Sequence, residues 1–354
     1  MLFPDGRRGW LITDRELARS LLTDSRFSAR AGHTREPTTP IEPGLFIRMD
    51  PPDHTHYRRL LTAQFTVRGM KQLTPRVEQI VHEHVDAMAA AGPPADLVRC
   101  FALPVPSMVI CELLGVPYTD RERFQRATAA LLDIDADVQE AESAYRDISD
   151  YLADLIAHKQ ENPSDDLLSG LVSETDLSHQ ELVHIAFLLL SAGHETTANM
   201  LGLGTFVLLQ HPDQRDLLYR EPDRIDSAVE ELLRYTSILQ FFVNRMALQD
   251  VELGGVRIEA GQVVMLSLPM VNRDPNRFPD PERLDITRRP GGHLSFGHGV
   301  HQCLGQQLAR VEMRVGYAAL FDRFPSLALT VPAEQVPMRT DKAIYGVHRL
   351  PVTW

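Results

Sequence analysis

Along most of this chain, apolar residues recur at intervals of three and four, the spacing that gathers them on one face of a helix. On that pattern residues 14–22, 54–64, 74–91, 105–114, 120–131, 140–160, 178–210, 212–220, 224–236 and 303–323 read as helices. Leu308, Val311, Val315 and Ala319 show the period plainly in the last of them. The longest opens on Ser178-His-Gln-Glu181, a capping box, and at about 1.5 Å per residue would run roughly 50 Å, enough to cross a domain. Period-two signals are fewer. Gly9-Trp-Leu-Ile-Thr13 reads as a strand, Val251 to Ile258 as a hairpin about Gly254-Gly255, and Val263 to Leu268 as a short strand. Pro275, Pro279, Pro281 and Pro290 exclude regular helix from 274–290, which must be irregular but ordered. No repeat or low-complexity linker divides the chain. The pattern predicts a mainly α fold, one domain over residues 1–354, with a small β region.

Composition narrows the class. An apolar content of 44% over 354 residues supports a sizeable core. Lys+Arg 36 against Asp+Glu 48 leaves a net charge of −12, which argues against nonspecific nucleic-acid binding. Cys100, Cys111 and Cys303 are odd in number and lack CxxC spacing, so neither a disulfide framework nor a zinc cluster is implied, and a cytoplasmic location is expected. The most apolar window, Leu182 to Leu190, contains His184 and runs into His194 and Glu195. It falls short of the roughly 20 apolar residues of a membrane span. No signal-peptide pattern opens the chain, and no membrane association is expected.

Three stretches carry candidate chemistry. Phe296-Gly-His-Gly-Val-His-Gln-Cys303-Leu-Gly305 sets a cysteine on a glycine-flanked loop with a helix behind it. Free amides and the positive end of the helix dipole there favour a thiolate. Gly297 and Gly299 allow backbone angles closed to other residues, and Gly305 lets a bulky partner approach. Taken alone, this is either a metal-ligand loop or a buried structural cysteine capped by turn glycines. Ala192-Gly-His-Glu195-Thr196-Thr197 interrupts the longest helix with a glycine worth up to ~1 kcal/mol of helix stability, followed by an acid and a hydroxyl. Alone, it fits a kinked core helix, its polar residues meeting neighbours, better than a functional site. Glu231-Leu-Leu-Arg234 places opposite charges one turn apart.

The loop pattern Phe-Gly-x-Gly-x-His-x-Cys-x-Gly resembles the haem-ligand loop of the cytochrome P450 family and is matched without a departure. The resemblance implies a helix-rich triangular prism with small β-sheets, built around haem b (iron protoporphyrin IX). It makes Cys303 the axial thiolate, the ligand class of these enzymes. It also makes His301 a propionate donor, Phe296 a shield for the sulfur, and Gly297 and Gly305 neighbours of the cofactor. Ala192-Gly193-x-Glu195-Thr196 resembles the family's oxygen-binding motif. On that likeness Ala192 and Gly193 line the oxygen cleft, Thr196 hydrogen-bonds the iron-bound peroxo group, and Glu195 feeds the proton relay. Glu231 and Arg234 resemble a structural pair that Arg283 would complete. His54 and Arg58, in Asp50-Pro-Pro-Asp-His54-Thr-His-Tyr-Arg58-Arg, lie one turn apart and resemble propionate clamps. Arg245 joins them, while His56 and Arg59 fall on other faces and are expected to be exposed. One departure stands at the start: the N-terminus is shorter than usual, Met1 lying almost on the first strand where family members carry several tens of residues.

Apolar segments expected at the substrate pocket supply Phe46, Ile47, Leu188, Ile238, Leu239, Phe241, Phe242, Ile344 and Tyr345, with ordinary core as the bland alternative for several. The stretch from Ala102 to Tyr118 resembles soluble actinobacterial members of secondary metabolism and xenobiotic oxidation. That likeness implies a lipophilic substrate such as a polyketide, macrolide, terpenoid or steroid-like molecule. The implied activity is a monooxygenase that hydroxylates or epoxidises it with dioxygen. Electrons would come from NAD(P)H through a ferredoxin reductase and a ferredoxin, docking near Cys303 beside Arg59, Arg68, Lys71 and Arg310. The protein is expected to act as a monomer. Two competing readings are a non-catalytic P450-like protein that activates a partner enzyme and a peroxide-driven peroxygenase. The presence of Cys303, Glu195 and Thr196 together weighs against the first. The intact Glu195–Thr196 pair weighs against the second.

Overall fold

A computed structural model describes residues 8–30, 41–62, 65, 67–134, 137–240 and 243–354. The helices are α1 (Arg15–Thr23), α2 (Asp53–Thr62), α3 (Val67–Ala91), α4 (Pro104–Leu114), α5 (Arg121–Leu131), α6 (Val138–Glu161), α7 (Leu167–Glu174), α8 (His179–Gln210), α9 (Pro212–Arg220), α10 (Ile225–Thr236), α11 (Leu268–Val271) and α12 (Gln306–Arg323). The strands are β1 (Gly9–Ile12), β2 (Phe27–Ser28), β3 (Ala95–Asp96), β4 (Asn244–Ala247), β5 (Val251–Leu253), β6 (Val256–Ile258), β7 (Val263–Leu266), β8 (Ala328–Leu329) and β9 (Pro351–Thr353).

Every helix expected from periodicity is present. The differences have local causes. Pro75 suggests a helix start beside it, yet α3 begins at Val67 and carries Pro75 in its interior, one backbone donor short. The brief α7 went unread because eight residues with Gly170 inside show little period; Asp166 caps it by accepting from the Ser169 amide at 2.8 Å. The two-residue strands β2, β3 and β8 are too short for alternation to show.

At the centre lies α8. Its capping box forms, with Glu181 N donating to Ser178 Oγ at 3.3 Å and Ser178 N to Glu181 Oε2 at 2.8 Å. Apolar on nearly all sides, it packs against α4, α6, α10 and α12. A four-stranded sheet runs in the order β1-β7-β4-β2. β1 is parallel to β7 (Gly9 opposite Val263), and β4 is antiparallel to β7 (Arg245 opposite Val264). All four residues of β7 are buried, so this central strand reads as an unbroken apolar run. Smaller sheets pair β3-β9-β8 and β5-β6, the latter turning at Gly254-Gly255. Among the described residues no helix is long and apolar enough to cross a membrane.

Candidate functional site

The cysteine loop is tied down before its helix begins. Asn272 Oδ1 accepts from Leu294 N at 2.7 Å, its amide donates to Ser295 Oγ at 3.0 Å, and Ser295 Oγ donates to the Leu233 carbonyl of α10 at 2.7 Å. Gly297 and Gly299 both take φ of +72°, the left-handed region that favours glycine. Cys303 N donates to the Phe296 carbonyl at 2.8 Å, closing the loop. The cysteine is not itself at the first turn of α12, which starts at Gln306 behind Gly305. The Gly305 amide instead supplies the stabilising dipole. Burial pushes the thiol up, while that amide, Arg58 and Arg310 favour the anion. Cys303 is nevertheless accessible. The desolvation felt by a thiol that is still accessible fits a recessed position. A side chain added at Gly305 would meet nothing within 4 Å, so room exists beside the thiol.

Beside the thiol, His54, Arg58, Arg245 and His301 gather, and Asp50 is an acid whose charge reaches His54 and Arg245. The rings of His54 and His301 lie 4.1 Å apart, and Phe46 is 6.2 Å from His54. Both ring nitrogens of His54 are buried without a hydrogen-bond partner among the described residues. Among the described residues Arg58 and Arg245 form no ion pair, and Arg245 donates to the Asn244 carbonyl at 2.8 Å. Burial lowers the pKa of His54, Arg58 and Arg245. His301 is pushed down to about 3, first by burial and then by His54, Arg245 and Arg58. Such a cluster is costly unless an anion completes it. His56 and Arg59 are exposed, as their helical positions predict. Among the described residues no three His, Cys, Asp or Glu side chains gather to hold a metal ion. A metal at Cys303 must therefore bring most of its own ligands. An iron porphyrin with two carboxylates meets both requirements, so the residues present fit haem.

On α8, Ala192 is exposed although the helix around it is buried. Thr196 lies one turn on, its Oγ1 donating to the Ala192 carbonyl at 3.0 Å, and half-buried Leu188 lies one turn back. Glu195 is buried and held. Its Oε2 accepts from Arg339 Nη1 at 3.0 Å and from Asn199 Nδ2 at 3.2 Å. Gly193, expected in the oxygen cleft, turns toward α4, where a Cβ would stand 2.7 Å from Ile110 Cδ1. Its missing side chain serves helix packing.

Glu231 and Arg234 are fully buried and bidentate, with two contacts of 2.8 Å. The third arginine is not Arg283, whose exposed side chain stays outside and which offers only its carbonyl to Arg234 at 3.2 Å. Arg288 takes the place, with Nε 3.2 Å from Glu231 Oε2. Arg310 is likewise committed within the protein. Its Nε donates to Glu230 Oε1 at 2.6 Å, and its guanidinium covers the Phe296 ring. His293 Nε2 is 3.0 Å from the other Glu230 oxygen. The side chains of Arg68 and Lys71 lie outside the described residues.

Phe46, Ile238 and Ile344 belong to the core, whereas Ile47 is 54% exposed and Leu239 and Tyr345 are half-buried. Phe241 and Phe242 lie outside the described residues. Residues 338–347 form a cross-braced turn. Tyr345 N donates to the Ile238 carbonyl at 2.9 Å, and Arg339 N to the Gly346 carbonyl at 2.9 Å. At the end of α5, Lys342 pairs with Asp133, and Ala343 N donates to the Leu132 carbonyl at 3.0 Å. Sequence reasoning missed Arg288, Arg339, Asn199, Glu230, His293 and Asn272. Only Glu230, adjacent to a recognised motif, offered a signal.

A family model described as Cytochrome P450 matches residues 1–352. The chain is 50% identical over 353 residues to "Cytochrome P450 105C1" of a Streptomyces species, covering 99% of this chain and 91% of that one. It is 46% identical to the "Vitamin D3 dihydroxylase" of Streptomyces griseolus over 361 residues, 99% of this chain and 89% of that one. Among solved structures, that of CYP105P1 in complex with filipin I superposes with a TM-score of 0.95 at 44% identity, covering 99% of this chain and 91% of that one.

Proposed function

The chain belongs to the cytochrome P450 family, a family of monooxygenases, and from that premise we propose that it hydroxylates or epoxidises a lipophilic secondary metabolite or xenobiotic. The observation that carries this reading is the cluster of His54, Arg58, Arg245 and His301, with both His54 nitrogens buried and unpartnered among the described residues, beside an accessible thiol. Bound haem b would supply the iron centre at which dioxygen is activated with electrons from NAD(P)H.

Each residue then has a task. Cys303 would hold the haem iron as a thiolate, its charge favoured by the Gly305 amide, Arg58 and Arg310. His54, Arg58, Arg245 and His301 would hold the propionates of bound haem through charge-assisted hydrogen bonds. Phe296 covers the sulfur under Arg310. Thr196 rests its hydroxyl proton on the Ala192 carbonyl, from which it can turn toward a bound ligand, and Glu195 passes protons toward it while Arg339 and Asn199 aim its carboxylate. Ile47, Leu188, Leu239 and Tyr345 hold an apolar substrate and exclude water. Exposed Arg59 remains for a ferredoxin served by an NAD(P)H-dependent reductase. The relatives named for vitamin D3 and bound to filipin support a large, mostly apolar substrate.

Carbon monoxide spectroscopy tests the ligand. The ferrous complex should show the red-shifted Soret band, and Cys303→Ser should abolish it. A retained band in that variant overturns the assignment. Product formed with peroxide but none with ferredoxin and NAD(P)H would select the peroxygenase reading.

A further inference from the structure

The segment 41–48, which ends in a single turn at Phe46–Arg48, is strapped across the start of α8 by contacts that the proposed chemistry leaves unused. Gly44 takes φ of +91°, and a Cβ there would stand 2.6 Å from the Glu181 carbonyl, so the strap lies directly on the helix. The helix that follows the strap, α2, is tied to the same turn, the Tyr57 hydroxyl donating to Glu181 Oε1 at 2.6 Å. Buried His184 meets the strap twice. Its Nδ1 lies 2.6 Å from the Pro43 carbonyl, and its Nε2 lies 3.2 Å from Glu42 Oε2.

These two contacts fix how many protons the pair must hold. A carbonyl only accepts, so Nδ1 carries a hydrogen. A neutral ring then has a bare lone pair at Nε2, facing a carboxylate oxygen that also only accepts. Tyr145 of α6 donates to that same oxygen at 3.2 Å. The contact therefore needs one further proton between Nε2 and Glu42, whichever atom carries it. The charged and titratable groups around it are Glu42 and Arg48 of the strap, Tyr145, Glu181 of α8 and Tyr57 of α2. Arg48 stands near enough for Glu42 and Tyr145 to act on its charge. Glu181 is already bound by Ser178 and Tyr57. The Glu42 side chain is 55% exposed, which gives the proton a way out to solvent.

We propose that His184 and Glu42 form a proton-dependent latch that holds the 41–48 strap closed on α8. Its bearing on substrate entry rests on the monooxygenase reading; the latch itself does not. Along α8, His184 heads a row in which Leu188, Ala192 and Thr196 follow every four residues, each step turning about 40°. The strap carries Ile47, assigned with Leu188 to an apolar substrate. Opening the latch frees the strap from the head of that row and returns one proton to water. The closed strap binds the extra proton, so acid favours it and alkali favours the open one. A bulky ligand then enters and leaves faster as pH rises. Its equilibrium affinity stays nearly constant, because the strap is closed before and after binding.

Hydrogen exchange tests the latch without a ligand. Corrected for intrinsic pH dependence, the strap amides should open about two- to fivefold more in mild alkali than in mild acid, the ratio for one partly exposed ion pair. Glu42→Gln, whose amide can donate to a neutral Nε2, should abolish that dependence and keep the strap closed. It alters an exposed side chain, so it preserves the fold even if His184→Leu does not. A dependence unchanged in Glu42→Gln overturns the latch. Entry is read by stopped-flow binding of phenyl isocyanide, which has no titratable group, to the haem-loaded protein. Wild-type on- and off-rates should rise together by about the same factor from acid to alkali; in His184→Leu both should be fast throughout. Salt should raise the wild-type rates in acid and leave those of Glu42→Gln unmoved, a response that lost packing alone would not give. Wild-type rates indifferent to pH overturn the role in entry. Absence of any isocyanide spectrum would instead strike the haem reading, leaving exchange to decide the latch.

Discussion

The Arg310 guanidinium stands 4.5 Å from the centre of the Phe296 ring while its Nε is bound to Glu230. The aromatic ring that follows Ser295 in the cysteine loop is thus pressed from behind by a cation whose charge is already matched. This removes Arg310 from the set of free charges for a docking partner and gives it a mechanical role on the sulfur's own side.

Glu230 should make stability depend on acidity. Burial alone would raise its carboxyl, but hydrogen bonds from His293 and Arg310 outweigh that and bring it to about 2 from an ordinary 4.5. A group depressed on folding stabilises fully above its unfolded pKa and loses that contribution as pH falls through the folded value. Denaturation midpoints should therefore fall between pH 4.5 and 2 in the wild type, and fall less in Glu230→Gln. Equal slopes in the two proteins would exclude the pairing.

The cation cluster predicts opposite effects in the presence and absence of haem. Arg245→Ala should weaken haem retention by about 1.5–3 kcal/mol, the worth of a charge-assisted hydrogen bond. The same change should leave the haem-free protein as stable as before or more so, because it removes a buried cation that forms no direct ion pair among the described residues and that Asp50 offsets only at a distance. Haem transfer to apomyoglobin and thermal melts of both forms measure the two signs. Destabilisation of the haem-free form would show that Arg245 serves packing.

Arg288 and Arg283 should separate cleanly. Arg288→Ala strips a partner from buried Glu231 and should destabilise by roughly 1–3 kcal/mol in denaturant titrations. Arg283→Ala, with its side chain outside the network, should stay within about 0.5 kcal/mol of wild type. The reverse order would restore the sequence-based assignment.

Thr196→Ala should keep the haem spectrum and NAD(P)H consumption while diverting electrons to hydrogen peroxide. Glu195→Gln should slow turnover, with general acid–base effects typically about 10²–10⁴-fold. Product formed per NAD(P)H oxidised, measured with a ferredoxin system, distinguishes the two. Full coupling in Thr196→Ala would remove it from proton delivery.

The cysteine loop and the acid–alcohol segment were legible because their signals are local, each confined to one short continuous stretch of chain. The long helices were legible because their burial leaves a periodic trace. What escaped depends on contacts between distant segments. Arg339 meets Glu195 across 144 residues, from a stretch with no helical or strand period. Arg283 and Arg288 sit in one proline-rich segment, where no period says which arginine turns inward. Gly193 belongs to a recognised motif, yet its missing side chain answers to Ile110 on another helix.

The turn at 338–347 has a further consequence. It grips the end of α5 through Lys342 and Ala343, and the acid of α8 through Arg339. Packed interiors are stiff and transmit strain. The turn is thus an interlock: the end of α5 and the carboxylate of Glu195 share one strut, and neither can be displaced far without loading the other.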